Sequence, residues 1–257
     1  MSFYNKLCTE FYDLETPWAS EQEVLFYSSF LEQYPGIWLE AMSGSGRLLL
    51  PLLKHGYNIQ GVDNSEHMIQ SCLKRATNQY GTPVIFNQSL TDLTLERKYA
   101  GVCITYSSFQ LIYDRDQAFK ALEQLNKCLL PGGILILECF IPWDIIKDTI
   151  CGQTPLKTAG PYTTKRVLQS INGTLLYLKS SITLDTQAQR MTSKGIFERR
   201  TLAGTLLEQE QEEHIITWYY QYEMELLLEK AGFKLIALYQ NSHHLEPQDS
   251  VFTAVKY

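Results

Sequence analysis

The chain has 257 residues, enough for one large domain or one domain carrying an inserted lobe. Its composition is that of an ordinary globular protein, 45% hydrophobic and 12% aromatic. Its formal net charge is −6, with no Lys/Arg run that could track a phosphate backbone, which argues against a nucleic-acid partner. Six cysteines (Cys8, Cys72, Cys103, Cys128, Cys139, Cys151) are scattered, several in apolar runs and none in a C-x-x-C pair. They read as buried thiols of a reducing compartment rather than as disulfides or zinc ligands. With no signal peptide and no membrane-length apolar stretch, the expectation is a cytoplasmic protein with no membrane partner.

Residues 1–36 read as a helical arm rich in aromatics (Phe3, Tyr4, Phe11, Tyr12, Trp18, Phe26, Tyr27, Phe30), whose part near Glu21 to Tyr34 should pack on a sheet. From 37 to 142 strand-like and helix-like runs alternate. The strands are Ile37–Leu39, Asn58–Val62, Pro83–Gln88, Gly101–Tyr106 and Ile134–Cys139, and the helices Gly46–His55, Glu66–Asn78 and Arg115–Leu129. Ser65 ahead of Met68 and Ile69 fits a capped helix start, and Pro131-Gly132-Gly133 breaks the chain before the fifth strand. Such alternation implies a parallel sheet with right-handed crossovers. From 143 to 218 the texture changes to long polar/apolar alternations: Lys165–Ser170, Leu175–Leu184, Arg190–Arg199 and Leu206–Trp218, an antiparallel meander. Asn172-Gly173-Thr174, formally a glycosylation sequon, reads as a hairpin turn. Residues 219–257 return to a helix (Tyr222–Ala231, closed by Gly232) and two strands, Lys234–Tyr239 and Val251–Lys256.

The stretch from Ile37 to Ile69 carries the chemistry. An apolar run ends in Glu40 and is followed by Gly44-Ser45-Gly46, an amphipathic helix, and a second strand ending in Asp63. Glycines allow close backbone approach to a ligand, a helix N-terminus offers free N–H groups, and an acid ending the next strand accepts from both hydroxyls of a ribose. A dinucleotide fingerprint needs a third glycine where Leu49 stands, which argues against a pyrophosphate turn.

Glu40-Ala41-Met42-Ser43-Gly44-Ser45-Gly46 resembles the Glu-x-Gly-x-Gly-x-Gly turn with which class I methyltransferases bind S-adenosylmethionine (SAM). Leu130-Pro131-Gly132-Gly133 before the fifth strand and Ala231-Gly232-Phe233 between the last helix and strand fit the same family. Phe11-Tyr12-Asp13 and Ser107-Ser108-Phe109-Gln110 are similar to stretches of its bacterial small-molecule members with an inserted β-lobe, which include sugar N,N-dimethyltransferases. The resemblance implies an α/β, doubly wound, seven-stranded, mostly parallel, Rossmann-like sheet with an inserted antiparallel lobe. It implies SAM as cofactor, S-adenosyl-L-homocysteine as product, and a small-molecule acceptor methylated on N or O. A degenerate SAM-binding protein with a regulatory or scaffold role is the alternative, favoured by two departures: Met42 stands for the first glycine and Ser89 for an Asp.

Residue by residue, the resemblance assigns Glu40 to the turn and the methionine amino group, Asp63 to the ribose, Met68, Ser89 and Leu90 to the adenine, and Asn64 to the cofactor site. Ala41, Met42, Gly44, Gly46, Thr105, Tyr106 and Ser107 surround the cofactor, and Tyr4, Tyr12 and Trp18 offer aromatic faces to the sulfonium. If the acceptor needs a base, His214, His243, His244 and Tyr106 are the candidates. The five histidines lack metal-ligand spacing, so no metal is expected. The lobe's connection leaves the carboxyl end of the fifth strand, so the lobe is expected over the active site, with Trp143 and Tyr162 in the acceptor pocket. Phe197, Trp218, Tyr219 and Tyr220 are further pocket candidates, the alternatives being the lobe's own core or a homodimer contact.

Overall fold

The computed structural model describes residues 4–76, 82–150, 158–240 and 249–257. Two helices, α1 (Lys6–Glu15) and α2 (Glu21–Gln33), lead into β1 (Trp38–Ala41), α3 (Leu49–Lys54), β2 (Ile59–Asp63), α4 (Glu66–Arg75), β3 (Ile85–Asn87) and β4 (Tyr99–Ile104). Helix α5 (Arg115–Cys128) and β5 (Leu129–Phe140) follow, then α6 (Trp143–Ile150) and the strands β6 (Thr158–Gln169), β7 (Leu175–Asp185), β8 (Arg190–Arg200) and β9 (Leu206–Thr217). Helix α7 (Gln221–Lys230), β10 (Phe233–Gln240) and β11 (Asp249–Lys256) come last. The chain divides into two compact units, Met1–Pro17 with Trp143–Thr217, and Trp18–Pro142 with Trp218–Tyr257. The arm over 1–36 is therefore shared: α1 belongs with the meander and α2 with the parallel sheet.

The larger unit holds a seven-stranded sheet in the order β3-β2-β1-β4-β5-β11-β10. The first five strands run parallel, and β11 is antiparallel to both of its neighbours. Successive side chains of a strand point to opposite faces. Trp38, Cys103, Ile134 and Ile136 accordingly meet Val24, Tyr27 and Phe30 of α2 and Leu49, Leu50 and Leu52 of α3. Leu39, Val102, Ile104, Leu135 and Leu137 meet Ala121, Leu122 and Leu125 of α5 and Met224 and Leu228 of α7. Both faces are covered, which is why these strands read as continuous apolar runs. The indole of Trp38 lies where a Cβ on Gly101 would be, so the glycine lets β4 accept the ring.

Some boundaries differ from the sequence expectation. Helix α3 begins three residues late because Gly46 takes a left-handed φ of +81°. Strand β5 starts at Leu129 rather than Ile134. Its register against β4 jumps from Tyr99↔Leu129 to Gly101↔Ile134, so the Pro-Gly-Gly segment bulges within the strand instead of preceding it. Helix α6 follows Pro142, in a segment with no expected element.

The smaller unit is a four-stranded antiparallel sheet, β6-β7-β8-β9, with α1 on one face. Leu7, Cys8 and Phe11 of α1 pack on Leu176, Leu178 and Phe197. Two strand carboxylates receive the free N–H groups of the helix start. Glu210 accepts from Leu7 and Cys8, each at 3.0 Å, and Glu212 accepts from Tyr4 at 3.1 Å and Asn5 at 2.5 Å. Arg199 of β8 pairs with Glu10, and Arg166 of β6 with Glu15. The sequon is the β6–β7 hairpin turn: Gly173 has φ +78° and Asn172 Oδ1 accepts from the Thr174 N–H at 3.1 Å.

Three of the rings expected near the acceptor pocket are buried. Phe197 sits in the core of the smaller unit, while Trp218 and Tyr219 are buried in the larger one, Tyr219 with its ring centroid 6.2 Å from that of Phe109. Tyr220 is the N-cap of α7, Trp143 begins α6 and is partly exposed, and Tyr162 lies half-buried in β6.

Candidate active site

The parallel strands bring their carboxyl ends together, and most of the expected cofactor residues stand there. After β1 the chain turns through Met42 (φ +59°), Gly44 (φ +54°) and Gly46 (φ +81°). Asp63, at the end of β2, organises this turn: its Oδ2 accepts from the Gly44 N–H at 2.8 Å and its Oδ1 from the Ser65 N–H at 2.8 Å. Burial pushes the carboxyl of Asp63 up, and its backbone donors at Ser65, Gly44 and Asn64 pull against that. Ser65 caps α4 through the Met68 N–H, and the Met68 thioether lies 3.9 Å from the place a Cβ on Gly44 would take. A Cβ on Gly46 would collide with Cys72 of α4 and Leu50 of α3, so that glycine is a packing requirement too. Met42 occupies a left-handed position that costs a side-chain-bearing residue about 1 kcal/mol, and its half-buried side chain packs on the core around α5 and α7.

Glu40 lies beneath this turn, 2% exposed, with Thr105 Oγ1 3.4 Å from its Oε1. Among the described residues its Oε2 has no hydrogen-bond partner. Burial raises its pKa to about 8, partly offset by the charge of Arg47. Arg47 is itself buried against Glu23, with Nη1–Oε2 at 2.7 Å and a second contact from Nη2 to Oε1, and its guanidinium covers the ring of Tyr106 at 4.6 Å. A further buried acid, Glu138 of β5, takes the hydroxyl of Tyr27 at 3.1 Å. Burial and the nearby Glu23 raise Glu138 to about 7, against a hydrogen bond from the Tyr106 backbone. Tyr106 and Ser107, after β4, are both left-handed at φ +55°, a strained pair of the kind that clusters at ligand sites. Tyr106 is exposed and Ser107 buried. The carboxamide of Gln110 bonds both backbone groups of Phe140, at 2.8 and 2.9 Å, fastening this loop to the end of β5.

The remaining assignments are dispersed. Trp18 lies beside the turn through Arg75, whose guanidinium stacks on the indole at 4.2 Å and donates to Ser45 Oγ at 2.7 Å. Leu90 is buried after β3. Ser89 is committed locally, accepting from the Thr91 N–H at 3.3 Å and meeting the Thr91 hydroxyl at 2.9 Å. Tyr4, Tyr12 and His214 stand together in the smaller unit, Tyr4 with ring centroids 5.9 Å from Tyr12 and 4.9 Å from His214. His243 and His244 lie outside the described residues. Sequence reasoning missed Glu23, Arg47 and Glu138. An acid inside the apolar run Leu135-Ile136-Leu137-Glu138 was the available signal, since a charge in a strand covered on both faces is there for a reason.

Residues 39–133 match the family model described as a methyltransferase domain. That stretch lies in a chain with the class I methyltransferase fold, a seven-stranded sheet with one antiparallel strand pairing against the parallel set, together with a separate four-stranded antiparallel sheet. A protein of Geobacillus sp. (strain WCH70) named as a putative methyltransferase is 26% identical over 100 residues, covering 39% of this chain and 40% of that one. The chain therefore spans about two fifths of the length of the curated relative it matches. Among solved structures, an S-adenosylmethionine-dependent methyltransferase from Clostridium acetobutylicum ATCC 824 is similar with a TM-score of 0.73 at 17% identity, covering 96% of each chain. The sugar N-methyltransferase KedS8 from Streptoalloteichus sp. ATCC 53650 has a TM-score of 0.70 at 18% identity, over 92% of this chain and 87% of that one. SAM-bound CalS10, an amino pentose methyltransferase from Micromonospora echinaspora, has a TM-score of 0.70 at 14% identity, over 100% and 99%. At these identities the likeness is one of fold.

Proposed function

We propose that this protein is a SAM-dependent methyltransferase acting on a small-molecule acceptor at N or O, with an amine nitrogen the better fit. The observation that carries the reading is Asp63, which fixes the glycine turn through Gly44 and ends the strand beside it. The two carboxylate oxygens have lone-pair capacity beyond their backbone donors at Gly44, Ser65 and Asn64, and can meet a ribose diol. The buried and unpartnered Oε2 of Glu40 fits an ammonium group such as that of the methionine moiety. Met68 and Leu90 would contact the adenine, with Met42, Thr105, Tyr106 and Ser107 around the centre of the cofactor.

Bound SAM supplies a methyl group already activated by its positive sulfur. The residues of the chain then have to hold the acceptor in line and exclude water. A neutral amine needs no base, whereas a hydroxyl does. The solved relatives named for sugar N- and amino pentose methylation support the same preference. We take the protein to be a cytoplasmic enzyme without nucleic-acid partners. Buried free thiols at Cys8, Cys72, Cys103, Cys128 and Cys139 support this, and no described helix is long and apolar enough to cross a membrane.

Calorimetry with SAM and S-adenosyl-L-homocysteine tests binding, and methyl transfer to amine and hydroxyl acceptors tests catalysis. Absence of binding sinks the reading. Binding without transfer to any acceptor turns it to the regulatory or scaffold role, which the left-handed Met42 and the locally committed Ser89 favour.

A further inference from the structure

The smaller unit contains a cavity of about 420 Å³ between α1 and the inner face of its sheet. On its wall three side chains of different chemistry converge. Cys8 comes from the first turns of α1. Glu212 and His214 come from β9, two residues apart and so on one face of the strand. The thiol sulfur, one carboxylate oxygen and one ring nitrogen all lie within 4.8 Å of one another. We propose that Cys8, Glu212 and His214 form a binding site for a thiophilic divalent cation of the zinc class, with the fourth coordination position open to the cavity. The site is independent of the methyl-transfer reading, since every residue in it belongs to the smaller unit.

The donor set is one sulfur, one imidazole nitrogen and one carboxylate oxygen, the mixture that zinc takes in tetrahedral sites. Donors around such an ion stand about 3.3–3.8 Å apart, given bond lengths of about 2.0–2.3 Å. The present spacing reaches that with side-chain movements of about 1 Å, and the 2.7 Å His214–Glu212 contact widens by less than that. Charge favours a cation. Glu210 and Glu212 are neighbours on β9 with no Lys or Arg ion pair to either among the described residues, and the one guanidinium lining the cavity, that of Arg166, is paired with Glu15. The positive end of α1 is already neutralised by the bonds these carboxylates accept from Tyr4, Asn5, Leu7 and Cys8. Cys8 contributes as thiolate, its proton passing to solvent as the metal–sulfur bond forms.

The surroundings pre-position the ligands. The Tyr4 ring lies against the imidazole with centroids 4.9 Å apart, and the side chains of His214 and Glu212 are only 18% and 5% exposed. Oriented ligands and a nearly closed shell favour affinity. The same cavity is lined by Ser180, Ser193 and Tyr12 and has room for a water or a small donor ligand in the fourth position.

The test uses the full chain stripped with a chelator. Titration with Zn²⁺ is expected to show one ion per chain, and Co²⁺ a sulfur-to-cobalt charge-transfer band in the near ultraviolet. Cys8→Ser should abolish the band, lower zinc affinity at least tenfold and remove the zinc-dependent rise in Tm, although five other cysteines remain. His214→Gln, which leaves the α1 contacts of Cys8 intact, should weaken zinc by a similar factor. It decides the matter if Cys8→Ser does not fold by circular dichroism. No stoichiometric metal in the wild type, a charge-transfer band that persists in Cys8→Ser, or unchanged affinity in His214→Gln overturns the site.

Discussion

Asp63 already carries backbone bonds from Gly44, Ser65 and Asn64 before it meets any ligand, so its substitution acts on the turn and on the cofactor together. Asp63→Ala is expected to weaken SAM binding by at least about 1.5 kcal/mol, roughly tenfold, because a charged acceptor for the ribose is lost along with its hold on Gly44. Unchanged affinity in a calorimetric titration would remove Asp63 from the site. Met42 is a separate case. Glycine there would relieve about 1 kcal/mol of left-handed strain and lose about as much side-chain burial. Met42→Gly should therefore leave stability within about 1 kcal/mol and SAM affinity equal or better. A marked loss of affinity, with circular dichroism unchanged, would show that the side chain packs productively on the cofactor. Glu40 gives a pH prediction. Its folded value of about 8 lies above its ordinary 4.5, so between those values the folded protein holds more protons on this group than the unfolded chain does. The contribution of Glu40 to stability must then fall as pH rises through that window. Urea unfolding without cofactor should show Glu40→Gln gaining on the wild type between about pH 5 and about pH 8. An equal difference at both pH values would mean that Glu40 is ionised in the folded state throughout. Asp63 and Glu40 were legible in the sequence because each ends a short apolar run beside glycines. Their neighbours Glu23 and Arg47 were not, since 24 positions separate them and only the packing of α2 on α3 brings them together.

At the scale of elements the parallel sheet was legible, because burial on both faces writes itself as apolar runs separated by turn residues. The Val102-Cys103-Ile104 and Ile134–Leu137 runs divide alternately between the two cores, as a doubly wound sheet requires. Helix α6 was not legible: eight residues after a proline give too little periodicity. The allegiance of α1 was not legible either, because its anchors Arg199, Glu210 and Glu212 lie about 190 to 208 positions away. Gly101 was read only as the start of a strand, yet it is the position at which β4 admits the Trp38 ring. Gly101→Ala places a methyl inside the van der Waals surface of that ring, which is 1% exposed and held by its Nε1–H to the Tyr34 carbonyl at 2.9 Å. The expected cost is about 1–3 kcal/mol of stability, the range for overpacking a close-packed core. The cofactor turn, which these residues do not form, should keep its SAM affinity at temperatures below the lowered Tm. A thermal melt unchanged from the wild type would show that β1 and β4 can part to admit the methyl.

At the scale of the whole chain, the smaller unit is assembled from two stretches far apart in sequence, and its first stretch contributes a single helix. That helix covers Leu176, Leu178 and Phe197 with Leu7, Cys8 and Phe11, its start donates N–H groups to Glu210 and Glu212, and its Glu10 accepts from Arg199. A β-sheet with one bare apolar face is a poor fold by itself, because the exposed area favours association or collapse. Removing residues 1–17 should therefore uncover the inner face of β7 and β8. Losing the burial of two large side chains and a cysteine amounts to at least about 3 kcal/mol, before the strand carboxylates that lose their donors are considered. The truncated chain is expected to bind a hydrophobic dye that the full chain excludes. It should also be cut by protease between residues 158 and 217 well before the parallel sheet is touched, since β1 to β5 keep both of their covering layers. Adding the peptide 4–17 in trans should restore protection, as α1 packs on β6 to β9. Equal protease resistance with and without residues 1–17 would show that the meander holds its own face closed, and that α1 is an accessory to it and not half of its core.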